Sequence, residues 1–275
     1  MVWGGHAMKK MWIVWVAGVL LAGHGRADIL SVSNGNASIA VDPGSVFGLS
    51  SYAVDNTEEM FEEWFWYRLP GDSYEHSLDN LPLISASATG NEIQLSFANT
   101  ILGVGLDYQL TGGAPGSGTA SLLEHVVLTN LTAAPLPLAW FSETDFDLGG
   151  FGGADSAWGG VNGIVQTDGM TVADTTSTLT PDAFQIAPFP DLFLSLEDLS
   201  ISNLDNSGSP FGPGDATFAF QWNLDIGAGS SISYDISKDI YPTPEPGTGT
   251  LLCLALLGLA KRLLRNRGSI TAVFH

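Results

Sequence analysis

The 275-residue sequence contains one cysteine, Cys253. No internal disulfide and no cysteine-type zinc site can be built from a single thiol, so nothing covalent staples the fold. Basic residues are scarce too: Lys and Arg total 9 against 29 Asp and Glu, a formal charge of −20. A chain this acidic is repelled by phosphate backbones, which excludes nucleic acid as a partner. Charged residues of all kinds make up only 14%, but hydrophobic ones reach 45%, which is too apolar for disorder. Helical periodicity is almost missing; one turn over Glu58 to Glu63 is the only candidate. What is abundant is glycine, 33 residues, a composition suited to short strands and turns.

The charges are unevenly placed. Lys9, Lys10 and Arg26 stand near the start, and Lys261, Arg262, Arg265 and Arg267 near the end; every acid lies between Asp28 and Glu245. Residues 28 to 246 thus carry 29 acids against Arg68 and Lys238, a formal −27. Both ends therefore read as addresses rather than fold. Residues 1–27 have the order of a signal peptide: two lysines, the apolar run Met11 to Ala22, and small residues at Gly25 and Ala27. Cleavage is expected between Ala27 and Asp28, with Met8 as the true start.

Residues 241–275 begin with a stiff spacer, Tyr241-Pro242-Thr243-Pro244-Glu245-Pro246-Gly247, which neither a helix nor a central strand can absorb. The apolar run to Ala260 is short for a membrane span, roughly 21 Å as a helix at ~1.5 Å per residue. Leu263 and Leu264 with snorkelling bases would extend it, and the basic cluster Lys261, Arg262, Arg265 and Arg267 is expected to stay cytoplasmic while the acidic body faces out. The order Pro244-Glu245-Pro246, apolar helix, basic cluster resembles the PEP-CTERM sorting signal of exported bacterial proteins. That resemblance implies processing near Pro244 to Pro246 by an exosortase, after signal peptidase at the other end. The chain would then be exported to the cell surface or extracellular matrix of a Gram-negative, polysaccharide-producing bacterium, transiently anchored in the inner membrane by its C-terminal helix. The tail Gly268 to His275 departs from the pattern, which usually stops at the basic cluster.

Residues 28–240 predict an all-β, antiparallel β-sandwich of about ten or more strands. Phe218, Phe220, Trp222, Leu224 and Ile226 alternate with polar or small residues, predicting a strand with one face in water. After Gly227-Ala228-Gly229, Ile232, Tyr234 and Ile236 resume the alternation, predicting a closing hairpin. Asn34-Gly35 suits a primed turn between Ile29 to Val32 and Ala37 to Val41. Leu122 to Leu128 reads as a central strand, and Leu192, Leu194 and Leu196 as a short one. Met60 to Arg68, Phe141 to Leu148 and Phe218 to Trp222 together resemble an ectodomain of unassigned function that recurs ahead of PEP-CTERM signals.

Chemistry is harder to find. Gly71-Asp72-Ser73-Tyr74 matches the letters of an esterase nucleophile block, but no histidine follows His125 except His275, so a polar turn is expected. His76 and His125 each sit beside a glutamate, and neighbours on a strand point to opposite faces. Glu143, Asp145 and Asp147 alternate along one strand, a set of oxygen donors that could hold calcium; no other cofactor is suggested. The glycines between Gly149 and Gly160 lack the lysine and helix of a phosphate site. Trp64, Phe65, Trp66 and Tyr67 run consecutively, so either both sheet faces are covered or a pair is exposed. With no nucleophile, base and orienter assembled, a non-enzymatic structural or adhesive role is expected first. A carbohydrate-binding module meeting exopolysaccharide through Trp64, Trp66 and Trp158, helped by calcium, comes second, and a polysaccharide-acting enzyme third.

Overall fold

The computed structural model describes residues 28–243; the signal peptide, Pro244, Glu245 and Pro246, the apolar helix and the basic cluster lie outside them. In chain order the first strands are β1 (Leu30–Asn34), β2 (Ala37–Val41), β3 (Leu49–Val54), β4 (Thr57–Glu58), β5 (Glu62–Arg68) and β6 (His76–Ser77). There follow β7 (Leu83–Thr89), β8 (Glu92–Ala98), β9 (Leu102–Gly112), β10 (Ala120–Asn130), β11 (Leu136–Asp145) and β12 (Asp155–Gly160). The last are β13 (Gly163–Thr167), β14 (Thr171–Ser177), β15 (Ala183–Pro188), β16 (Phe211–Gly214), β17 (Ala216–Ile226) and β18 (Ser231–Pro242), with one α-helix among the described residues, α1 (Asp191–Glu197), before β16.

They form two nine-stranded sheets. The first runs β1-β2-β3-β5-β11-β17-β15, with β4 beside β3 and β6 beside β5; the second runs β16-β12-β13-β14-β18-β10-β9-β8-β7. All the strand pairings within both sheets are antiparallel, so the expected sandwich architecture holds. The β1–β2 turn falls at Asn34-Gly35 as expected, with Gly35 at φ 57°, where an L side chain would be strained.

The facing sides of the sheets meet in an aromatic core. The twelve largest fully buried side chains are all aromatic, among them Trp140, Trp222, Tyr108 and Phe220, which is how the fold dispenses with disulfides. Phe65 stacks on Trp140 at 5.3 Å, and Trp222 reaches across to Tyr234 at 5.1 Å. Lys238 is also buried there, its Nζ 2.7 Å from Glu124 Oε1 and 3.3 Å from Glu63 Oε1.

Several local expectations are corrected. The alternation in β17 and β18 is real, but the strands do not pair: Gly227 to Ser230 carries the chain from one sheet to the other. The same crossing occurs between β10 and β11. Asn130 fastens both crossings, donating from Nδ2 to Ala134 O at 2.7 Å and to Ile226 O at 2.8 Å. Leu192 to Leu196 is helix, not strand; Leu192 and Leu196, one turn apart, are buried and Leu194 is exposed. Glu58 to Glu63 forms no helical turn but ends β4 and begins β5. Finally, the outer face of β17 is in water only at its end, at Asn223 and Asp225; Thr217, Ala219 and Gln221 are buried because the segment from Pro190 to Asn206 roofs this side of the first sheet.

Candidate functional site

The roofed face carries the polar chemistry. Register places Asp145 opposite Glu62 on β11 and β5, and Glu143 two residues along, so three carboxyls share one patch. Thr217 on β17 donates to Glu143 Oε1 at 3.0 Å, while Glu143 Oε2 and both oxygens of Glu62 accept no hydrogen bond among the described residues. Burial, with Glu197 adding to it, pushes the Glu62 carboxyl up to about 8. Burial raises Glu143 well above the usual carboxylate range, reinforced by Glu62 and Asp145. Asp145 is pushed up to about 9 by burial and then by Asp215 and Asp147. Carboxyls gathered away from water and away from cations hold their protons.

Donors stand on the same face. Trp66 Nε1 gives its proton to Glu197 Oε1 at 2.7 Å on the roof helix. Arg68 Nη1 donates to the Ser202 carbonyl at 2.8 Å and Nη2 to Asn203 Oδ1 at 2.9 Å, and the guanidinium lies over the Phe141 ring. Its ion-pair partner is Glu75. Gln221 Oε1 accepts from the Leu204 N–H at 2.8 Å. The roof is therefore held by an indole, a guanidinium and an amide, plus Leu192 and Leu196 beneath it.

At the end of this face a cleft of about 470 Å³ opens, lined by Phe47, Phe61, Met60, Glu58, Asp42 and Asp147. Phe47 and Phe61 are each about two-fifths exposed, and Phe193 of the roof stacks on Phe47 at 5.7 Å and 3° between planes. Asp147, raised by burial and by Asp215 and Glu58, forms part of the cleft wall.

The structure scatters other residues that the sequence singled out. Trp64 and Trp66 are fully buried and present no free ring to a glycan, whereas Trp158 is exposed on edge-side strand β12. Of Glu143, Asp145 and Asp147, the last two converge, and their third partner is Asp215, which sequence spacing could not supply because it lies 68 positions beyond Asp147. His76 approaches Asp72 at 3.4 Å, and His125 Nδ1 meets Asp235 at 2.6 Å on the outer face of the second sheet, so the two histidines do not join. Gly71 to Tyr74 is a turn in which Asp72 caps the Leu69 N–H at 2.8 Å. Sequence reasoning missed Glu62, Arg68 as a face donor, Gln221 and Asp215. The alternation of Glu62, Trp66 and Arg68 along β5 was the available signal.

No family model matches the chain, and no curated protein matches it. Solved structures do. A bacterial glucoamylase complexed with acarbose matches with TM-score 0.55 and 10% identity over 84% of this chain, which spans about a third, 34%, of that protein's length. A candidate aldose 1-epimerase from Escherichia coli K12 matches with TM-score 0.53 and 11% identity over 78% of this chain and 99% of its own. A galactose 1-epimerase from Lactobacillus acidophilus NCFM matches with TM-score 0.51 and 8% identity, covering 79% and 96%. At such identities the likeness is one of fold. It nonetheless overturns the expectation of a non-enzymatic structural or adhesive role. The fold is shared with proteins described as sugar epimerases, and sequence separation hides which carboxyls meet: β5 and β11, some seventy residues apart, are hydrogen-bonded neighbours.

Proposed function

We propose that the chain is a carbohydrate-converting enzyme whose chemistry takes place on the roofed face of the first sheet, between Glu62 and Glu143. The observation that carries this reading is the convergence of these two carboxyls with an indole N–H, a guanidinium and an amide on one strand face. The roof already makes the contacts that a sugar ring makes: a flat face on Phe47, and oxygens on Trp66 and Arg68. A sugar entering by the Phe47–Phe61 cleft would replace them as the roof lifts.

The reaction we propose is interconversion of aldose anomers. Glu62, in its ionised form, takes the proton from the anomeric hydroxyl; the C1–O1 double bond forms as the C1–O5 bond breaks, and Glu143 delivers its proton to O5. Rotation about C1–C2 and reversal of both transfers close the ring with the opposite configuration. Both protons return to their starting groups, so no co-reactant is consumed. Glu143 is given the acid role because its burial favours the neutral form more.

The full chain should accelerate equilibration of α-D-glucose or α-D-galactose, followed by polarimetry. Glu62→Gln and Glu143→Gln should each slow it by ~10²-fold or more, the usual scale for a lost general acid or base. If the wild-type chain interconverts neither sugar, or if both variants keep its rate, the proposal falls.

We also propose export and sorting, supported by the signal-peptide pattern of residues 1–27 and the PEP-CTERM resemblance of residues 241–275. Mass spectrometry of the mature protein should find a start at Asp28 and an end near Pro244 to Gly247. An intact Arg267 end would remove the exosortase.

A further inference from the structure

Beyond the sugar chemistry, we infer that Asp145, Asp147 and Asp215 form a calcium site. One carboxylate oxygen from each lies within 4.8 Å of the others. That spacing fits oxygens around one calcium at ~2.3–2.6 Å each. Proximity of acids alone would mean little on so acidic a chain. The second observation is that Asp145, 1% exposed, buries Oδ1 with no hydrogen-bond partner among the described residues, and Asp215 buries its Oδ1 likewise. A buried carboxylate oxygen left without a donor is costly, and a cation is the ligand that would satisfy it. Protein cations do not: the only Lys and Arg of residues 28–243 are engaged elsewhere, Arg68 with Glu75 and Lys238 with Glu124 and Glu63.

The backbone holds the set in place. The Asp145 carbonyl accepts from Phe61 N–H at 2.9 Å, the Asp147 N–H donates to Glu59 O at 3.1 Å, and the Asp215 carbonyl accepts from Phe189 N–H at 3.0 Å. Gly152 comes so close that a β-carbon there would lie 2.0 Å from Asp147 Oδ1 and 2.8 Å from Asp215 Oδ1. All three donors are hard oxygens, two from the stretch that leaves β11 and one from the residue before β17, which suits the adaptable shell of calcium better than the strict octahedron of magnesium.

The test is calorimetric titration of the full chain, stripped of divalent ions, with calcium chloride alone at fixed ionic strength, paired with thermal unfolding. Wild type should show one saturable site and a midpoint raised by several degrees in excess calcium. Asp215→Asn should bind at least ~tenfold more weakly. In chelator its midpoint should equal or exceed that of wild type, because a repelling charge is gone and no hydrogen bond is lost. Gly152→Ala should weaken calcium while keeping every carboxylate. No saturable heat, wild-type affinity in Asp215→Asn, or an equal response to magnesium would overturn the assignment. The titration reads no turnover, so it stands or falls independently of the Glu62 and Glu143 variants.

Discussion

Lys238 shows how one buried side chain can depend on its partners. Burial works against its charge, but Glu124 and Glu63 outweigh that and hold the ammonium above its ordinary range. Replacing it with methionine keeps the volume and strips both glutamates of their counter-charge, leaving Glu63 and Glu124 facing the core unpaired. Lys238→Met is expected to cost ~3–5 kcal/mol, the range for breaking a buried pair from one side, measured by urea unfolding. The triple change that also makes Glu63 and Glu124 into glutamine should recover much of it. At this scale the sequence was partly legible. Glu124 and His125 stood out as the only polar pair in an apolar strand, and they separate as the pleat requires: Glu124 inward to Lys238, His125 outward to Asp235. That Lys238 would be the inward partner could not be read, because it lies 114 residues from Glu124.

The element that matters most to the site is α1 with the segment after it. Leu192, Leu194 and Leu196 alternate, so the period-2 reading was reasonable, yet three leucines at that spacing also fit one turn of helix with the first and last on one face. The sheet beneath decided between them, since Leu192 and Leu196 pack down while Leu194 stays out. Leu196→Ala should cost ~2–5 kcal/mol locally. Its signature should be faster amide exchange from Asp191 to Leu204 with the β9 and β10 amides unchanged; uniform acceleration would mean that the roof unfolds only with the whole domain. The β17 and β18 strands carry the complementary lesson. Alternation gave their existence and faces, but a turn rich in glycine suits a sheet-to-sheet crossing as well as a hairpin, and the hydrogen bonds of Asn130 select the crossing.

Over the whole molecule, eight acids among the described residues are buried, Glu59, Glu62, Asp145 and Asp155 among them. Burial pushes Glu59 and Asp155 up to about 7 and Glu62 up to about 8, so the folded chain binds protons that the unfolded chain has released. A raised carboxyl stabilises the fold at pH below its unfolded value and loses that contribution as pH rises through its folded value. In chelator, stability should therefore fall between about pH 5 and pH 8. The midpoint at pH 8.5 should be lower than at pH 5 by ~5 °C or more, at ~2–4 °C per kcal/mol for a domain of this size. A flat or rising profile would show that these carboxyls are already solvated or neutralised. With calcium present the slope should shrink, since a bound cation favours the ionised forms.

The sequence by itself determined the chain's class. Its apolar alternation made strands, its aromatics supplied a core large enough without disulfides, and its segregated charges marked the two ends as distinct from the body. These are local or compositional properties, set by side-chain period and solvation, and they survive any choice of topology. Only the tertiary structure decided what the carboxylates do. Glu62 and Glu143 become neighbours through the β5–β11 pairing, and Asp215 reaches Asp145 and Asp147 through the pairing of β11 with β17. Glu62, Glu143 and Asp145 are buried there, while Asp147 and Asp215 stay half-buried. Proton affinity and ion binding depend on distance and burial in space, and antiparallel pairing between distant strands sets both without leaving a mark at any fixed spacing along the chain.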